Sequence, residues 1–278
     1  MKNILKIMLM MIAIFTIAGS AVYAAEIPVS DQDQLITSSD WTEISNLQDE
    51  MKKEEPDATI DYDKALKVYV DCNLIKLQTA DTKKLTSALE SANYVWVIPF
   101  KMEKTYGMFT VAKGLPLSEE AKSVLTKAEQ EEVKNHAGKW MITETAEHTV
   151  EPYYDILLEK REALSDCTRV VLVGSQPGMR QPVALGMDDE TARIWISLGY
   201  QYPVMEKIPE TQNVESGVYS FDSVAEISDT CIEDSEVSTG AGVQSRSSMK
   251  YVAGIGIIVI GSILILSVLK KKKLEDYE

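Results

Sequence analysis

Cysteine and histidine are scarce in this 278-residue chain, with three Cys and two His. A hydrolytic metal centre gathers several His, Cys or carboxylate ligands, and His136 and His148 are a thin supply. The nearest pattern, Glu144-Thr-Ala-Glu147-His148, ends like an inverted zincin motif but carries Glu where the first His belongs. Its segment also reads as strand, not helix, so neither zinc nor any other cofactor is expected. With Cys72, Cys167 and Cys231 as the whole supply, a disulfide-built scaffold is excluded. Two outcomes stay open: one bridge, for which Cys72 to Cys167 is the best pair because both flank strands, or three unpaired thiols in a reducing habitat.

Other signatures are missing too. None of the six Asn begins an Asn-x-Ser/Thr sequon, which leans towards a bacterial source. Gly174-Ser-Gln-Pro-Gly178 has its second glycine one place too late for a nucleophile elbow and reads as a hairpin loop. The acidic groups Asp61 with Asp63 and Asp188-Asp189-Glu190 lack the spacing of a calcium loop and read as solvated turns. Basic residues are outnumbered, 28 against 43. Setting aside the ends leaves 21 basic and 40 acidic residues between Glu26 and Met249, a net charge of about −19. A field of that sign repels nucleic acid and anionic lipid, and favours solubility, cationic partners or divalent ions.

What is present begins with the two ends. Val252 to Leu269 is an uncharged run of Ile, Val, Leu, Gly, Ala and Ser, and Lys270, Lys271, Lys272 and Lys273 follow it. At about 1.5 Å per residue such a run spans a bilayer's hydrocarbon core, and the lysines mark a cytoplasmic stop-transfer signal. At the other end, Lys2 and Lys6 precede an apolar stretch and then Val22-Tyr23-Ala24, the layout of a secretory signal cleaved near Ala24 or Ala25. The expected divisions are 1–25 signal peptide, 26–58 polar lead and short amphipathic helix, 59–205 α+β extracellular domain, 206–249 acidic flexible stalk, 250–269 transmembrane helix and 270–278 cytoplasmic tail. Between stalk and helix no complete sortase signal stands, because Glu236-Val-Ser-Thr-Gly240 lacks the Leu and Pro.

Inside the domain, alternation predicts strands at Ala65 to Asp71, Tyr94 to Ile98, Met108 to Ala112, Lys139 to Thr145, Thr168 to Val173, Val183 to Met187 and Ala192 to Leu198. Helical spacing predicts a docked helix from a capping box at Asp40 and Glu43, one capped by Asp81, a longer one from Ser118 to Gly138, and one starting at Pro152. Written out, this is two βαββ-like units in a mainly antiparallel sheet with helices on one face. The first six elements also fit a ferredoxin-like unit. Residues 26–39 read as a disordered lead, and a short strand at Val218 to Phe221 is the one feature that could extend the domain. Trp96, Trp140 and Trp195 fall in strands and read as filling between sheet and helices, with an exposed carbohydrate- or peptide-binding face as the rival.

This plan of leader, compact domain, acidic stalk, single helix and lysine-rich tail resembles surface proteins of Gram-positive bacteria in layout alone. The sequence therefore points to a single-pass membrane protein whose ectodomain binds a protein or glycan partner without catalysis. The alternative is a surface hydrolase or wall-processing enzyme using sequence-distant carboxylates.

Overall fold

The computed structural model describes residues 27–227, except 149, 175, 177, 178, 180, 201–204 and 210–212. Ala24, Ala25, Cys231, the 250–269 segment and Lys270 to Lys273 lie outside the described residues. Among those described, no helix is long and apolar enough to cross a membrane. The fold is mixed α/β, with a large, mainly antiparallel sheet and few helices.

The strands are β1 (Thr59–Ile60), β2 (Leu66–Val70), β3 (Asn93–Lys101), β4 (Tyr106–Lys113), β5 (Trp140–His148), β6 (Arg169–Val173), β7 (Val183–Met187), β8 (Ala192–Ser197), β9 (Asn213–Glu215) and β10 (Val218–Ser220). Their order in space is β5-β4-β3-β2-β6-β7-β8-β10-β9, with β1 pairing β3. Two antiparallel runs therefore grow outward in opposite directions from one parallel pair, β2 with β6, in which Val68 faces Leu172 and Tyr69 faces Val173. The first expected unit, β2-helix-β3-β4, is compact. The second is not a unit in space, because β5 pairs with β4 at the far edge and β6 pairs with β2 and β7. The same order rules out the ferredoxin-like arrangement, since the first four long strands follow one another as a simple meander.

Among the helices that connect or cover the strands are α1 (Trp41–Ile44), α2 (Gln48–Glu54), α3 (Thr82–Glu90), α4 (Glu119–Val124), α5 (Lys127–His136) and α6 (Tyr153–Glu159). Because side chains alternate along a strand, Leu66, Val68 and Val70 face one side and Lys67 and Tyr69 the other. On the first side Val68, Val97, Leu172 and Ile196 pack against Tyr153 and Leu157 of α6. On the second, Ile44 and Met51 of α1 and α2 cover Trp96, Ile98 and Phe109. Beside them Leu85 and Leu89 of α3 cover Val171, Leu185 and Trp195. Helices thus lie on both faces, not one. A sheet buried on both sides needs two covers, and each large apolar side chain so buried contributes roughly 1.5–3 kcal/mol.

Three further expectations are corrected. The lead is ordered: Leu35 is fully buried, its N–H reaches the Ala65 carbonyl at 3.1 Å, and Val170 N–H reaches the Pro28 carbonyl at 2.7 Å. The domain also continues beyond residue 205. Met205, Ile208, Val218, Phe221 and Val224 are buried, β10 pairs with β8, and residues 221–227 are helical. Finally, the helix expected from Ser118 to Gly138 is two. Ser118 caps α4, then Thr126 and Glu129 form a capping box that opens α5, and Val124, at the break between the two, is 79% exposed.

The proposed Cys72–Cys167 bridge is absent, and both thiols are free and buried. In the parallel register Cys72 lies just past the end of β2 while Cys167 precedes β6. About nine residues, on the order of 30 Å, separate them along the strand direction, where a bridge needs Cα atoms within about 7 Å. Each is packed in a different apolar cluster, on opposite faces of the sheet.

Candidate functional site: an aromatic cleft over a buried charge network

Antiparallel pairing gathers one end of each of four strands. Val70 pairs with Asn93, Val95 with Ala112 and Lys113 with Trp140. Beyond this row the connections out of β4 and into β5 close on each other. Gly138 N–H meets the Gly114 carbonyl at 2.7 Å and Gly114 N–H meets the Lys139 carbonyl at 2.9 Å. Both glycines are needed for that approach. A Cβ at Gly114 would stand 2.1 Å from the His136 carbonyl oxygen, and Gly138 adopts a φ of +76°.

The cleft so formed has a volume of about 280 Å³. Its lining is mostly apolar, including Val70, Val95, Ala112, Leu115 and Pro116, with Tyr94 and Trp140 as its aromatic members. Their ring centroids are 5.8 Å apart. Asp71, Asn93 and Lys113 are the polar side chains of the lining. Asn93 donates to Asp71 at 3.1 Å, and the Lys113 ammonium lies 5.4 Å from the Trp140 ring centre. Trp140 is 7% exposed and its buried indole N–H has no partner among the described residues. A buried donor left in that state carries a cost of about 1–3 kcal/mol.

Tyr94 ties the cleft to a network of charges in the middle of the sheet. Its hydroxyl donates to Asp40 at 2.9 Å, and Trp96 Nε1 donates to the same oxygen at 3.0 Å. Asp40 was expected to cap a helix; its carboxylate instead turns inward to these rings and makes no capping bond. Next to it, Asp33 is 2% exposed. It accepts from Ser30 Oγ at 2.6 Å, Tyr69 Oη at 2.7 Å and Arg169 Nη2 at 3.0 Å. Lys67 Nζ stands 3.8 Å from Asp33 and over the rings of Tyr94 at 4.5 Å and Trp96 at 5.2 Å.

Burial sets the protonation of these groups. Loss of solvent pushes the Lys67 pKa below its ordinary value; Asp33 and Asp40 oppose that shift, while Arg169 adds to it. Burial is also the main cause of the raised phenol pKa values of Tyr69 and Tyr94, helped in each case by the aspartate that accepts the phenol proton. The network holds the lead against β2 and β6, and through Tyr94 it fixes one wall of the cleft.

The earlier candidates behave as ordinary structure. Asp188 accepts from the Glu190 and Thr191 amides and pairs with Arg193, a closed turn. Asp61 lies 3.7 Å from Lys64. Glu144 and Glu147 are on strand β5, and no group of three or more metal-ligating side chains forms among the described residues. Residue 174 begins the β6–β7 hairpin connection, where Gln176 accepts from Leu74 N–H at 3.0 Å and donates to the Cys72 carbonyl at 2.6 Å. Trp96, Trp140 and Trp195 are all buried, as filling rather than as an exposed face. Sequence reading passed over Asp33, Lys67 and Arg169. The available signal was a cation at an inward position of two apolar strands, Leu-Lys-Val-Tyr-Val and Arg-Val-Val-Leu-Val.

No family model, curated protein or solved structure matches this chain.

Proposed function

We propose that this is a single-pass, membrane-anchored surface protein whose domain acts by binding, with the cleft between Tyr94 and Trp140 as its recognition site. The observation that carries this reading is the cleft's composition: apolar and aromatic walls with a few polar groups at defined places. That is the make-up of a ligand pocket. Asp71 is the one carboxylate in its lining and is held by Asn93. The anchor is the 250–269 segment with its lysines, and the leader ending near Ala24 or Ala25 would carry residues 27–227 outside the cell. Retention at the surface of a Gram-positive bacterium, with a protein or glycan partner, follows from the same layout.

The test uses the full-length chain in a single-membrane bacterial host. Protease added to intact cells should remove the domain, and alkaline carbonate should leave the anchor in the membrane fraction. Recovery of the whole chain in the soluble fraction overturns the anchor, and steady turnover of peptides, glycans or esters by the purified chain overturns the binding role.

The rival hydrolase reading draws on Glu144, half-buried on β5, whose carboxyl pKa is raised by loss of solvent. A general acid needs that kind of environment. Glu144→Gln abolishing turnover of a glycan or peptide substrate would favour this reading.

A further inference from the structure

We propose that β5 is an open sheet edge that takes up an extended, lysine- or arginine-rich segment of a partner protein by strand addition, with an apolar side chain of that segment seated in the cleft beside Trp140. The inference rests on the binding reading above and adds the partner's chemistry.

The two edges of the sheet are unlike. One ends in β9, three residues long, a length that offers little to pair with. The other ends in β5, nine residues long, or about 30 Å of strand. Its register runs along β4 from Trp140 to His148, and alternate residues of an edge strand turn N–H and C=O away from their neighbour. Among the described residues, no backbone group of β5 bonds to any element but β4. A register shift opposite Thr110 and Val111 separates the strand into a short part at Trp140 and a longer one from Glu144 onward.

Charge selects the occupant. Glu147 is exposed on the longer part, and the C-terminal end of α2 brings Glu54 and Glu55 beside it, with Glu54 accepting from Thr145 Oγ1. Burial, then repulsion from Glu147 and Glu54, raises the Glu55 carboxyl. Cations on an incoming strand would relieve that repulsion. A second copy of this chain would instead set the same glutamates against each other, on a protein of net charge −15. Trp140, the first residue of β5, also lines the cleft, whose apolar walls suit an apolar side chain. Strand addition of this kind draws affinity from the backbone and specificity from pockets for alternate side chains.

The probe is a fluorescent peptide alternating Lys and Val and ending in Phe, with a counterpart carrying Glu in place of Lys, each titrated into the full-length chain in nanodiscs. The Lys peptide should bind and add hydrogen-exchange protection across residues 140–148. Glu147→Lys should weaken it on the order of ten-fold, and Trp140→Phe, which reshapes one wall of the cleft, should weaken it less. Thr145→Pro and Ala146→Pro serve as a pair because neighbouring residues point their N–H groups oppositely: one removes a bond to β4, the other only an outward donor. The variant that keeps native stability should lose binding. Equal binding of the Glu peptide, or Lys-peptide binding without protection on β5, overturns the proposal, as does self-association through β5. Mass spectrometry of the recovered peptide separates the two readings: an intact peptide with β5 unprotected defeats strand addition alone, while a cleaved peptide defeats the binding role.

Discussion

Arg169, on β6, donates a 3.0 Å hydrogen bond to Asp33, a buried residue of the lead 136 positions earlier. The pair joins the N-terminal segment to the one parallel strand pair of the sheet, with Lys67 3.8 Å from the same carboxylate. Removing the carboxylate leaves two cations without their counter-charge in a poorly solvated place. Asp33→Asn should therefore destabilise the domain by about 3–5 kcal/mol, the cost of breaking a buried pair. Asp33→Leu combined with Arg169→Met should cost less than the sum of the two single changes. Urea denaturation of the parent and the four variants checks both statements.

Gln176 spans two loops, accepting from Leu74 N–H and donating to the carbonyls of Cys72 and Gly174. Gln176→Leu keeps the volume but strands these buried groups, for a loss of about 1–3 kcal/mol. Hydrogen exchange at the Leu74 amide should speed up by more than the global loss of stability explains.

Glu144 gives stability a defined pH dependence. Its folded carboxyl titrates above the ordinary value of 4.5 because burial disfavours the charge. The folded state thus holds a proton that the unfolded state has released, and stability falls as pH rises through that window. Glu144→Gln should raise the thermal midpoint at pH 7 and leave it nearly unchanged at pH 4. Thermal scans at the two pH values measure the difference, and an equal shift at both would contradict this account.

Cys72 and Cys167 are buried apart, and loss of solvent pushes each thiol up to about 11. With Cys231→Ser as background, the native protein should show almost no reaction with a thiol reagent at pH 8 and two equivalents once unfolded. Reductant should leave its thermal midpoint unchanged. Loss of stability on reduction would reinstate the bridge.

Much of the fold was legible because its signals are local. The period-two alternation of Leu66 to Val70 or Arg169 to Val173, and the Asp81 cap before Leu85 and Leu89, depend on neighbours a few residues away. The same holds for the docking of Ile44 and Met51. The split between α4 and α5 was legible as well, since Thr126 and Glu129 have capping-box spacing, but the longer apolar stripe pulled the reading towards one helix. Residues 27–39 and 205–227 misled for another reason. Apart from the short strand read at Val218 to Phe221, their 3₁₀ turns and three-residue strands show no period, and what orders them is distant: Asp33 meeting Arg169, Leu35 meeting Ala65, Val218 lying against Ile196.

By itself the sequence determined the seven strands β2 to β8, the helices opening at Asp81 and Pro152, the acidic field of the domain and the expectation of an anchor, because each follows from composition or short-range spacing. Tertiary structure decided the rest. It chose the parallel pairing of β2 with β6, put helices on both faces, set Cys72 and Cys167 on opposite sides of the sheet, and left β5 at an edge. It also brought Tyr94, Trp140 and Lys113 around one cleft. None of these is local: each depends on which strand lies beside which, and that choice is made by the combined burial of both faces of the sheet around a few charges that must find partners inside.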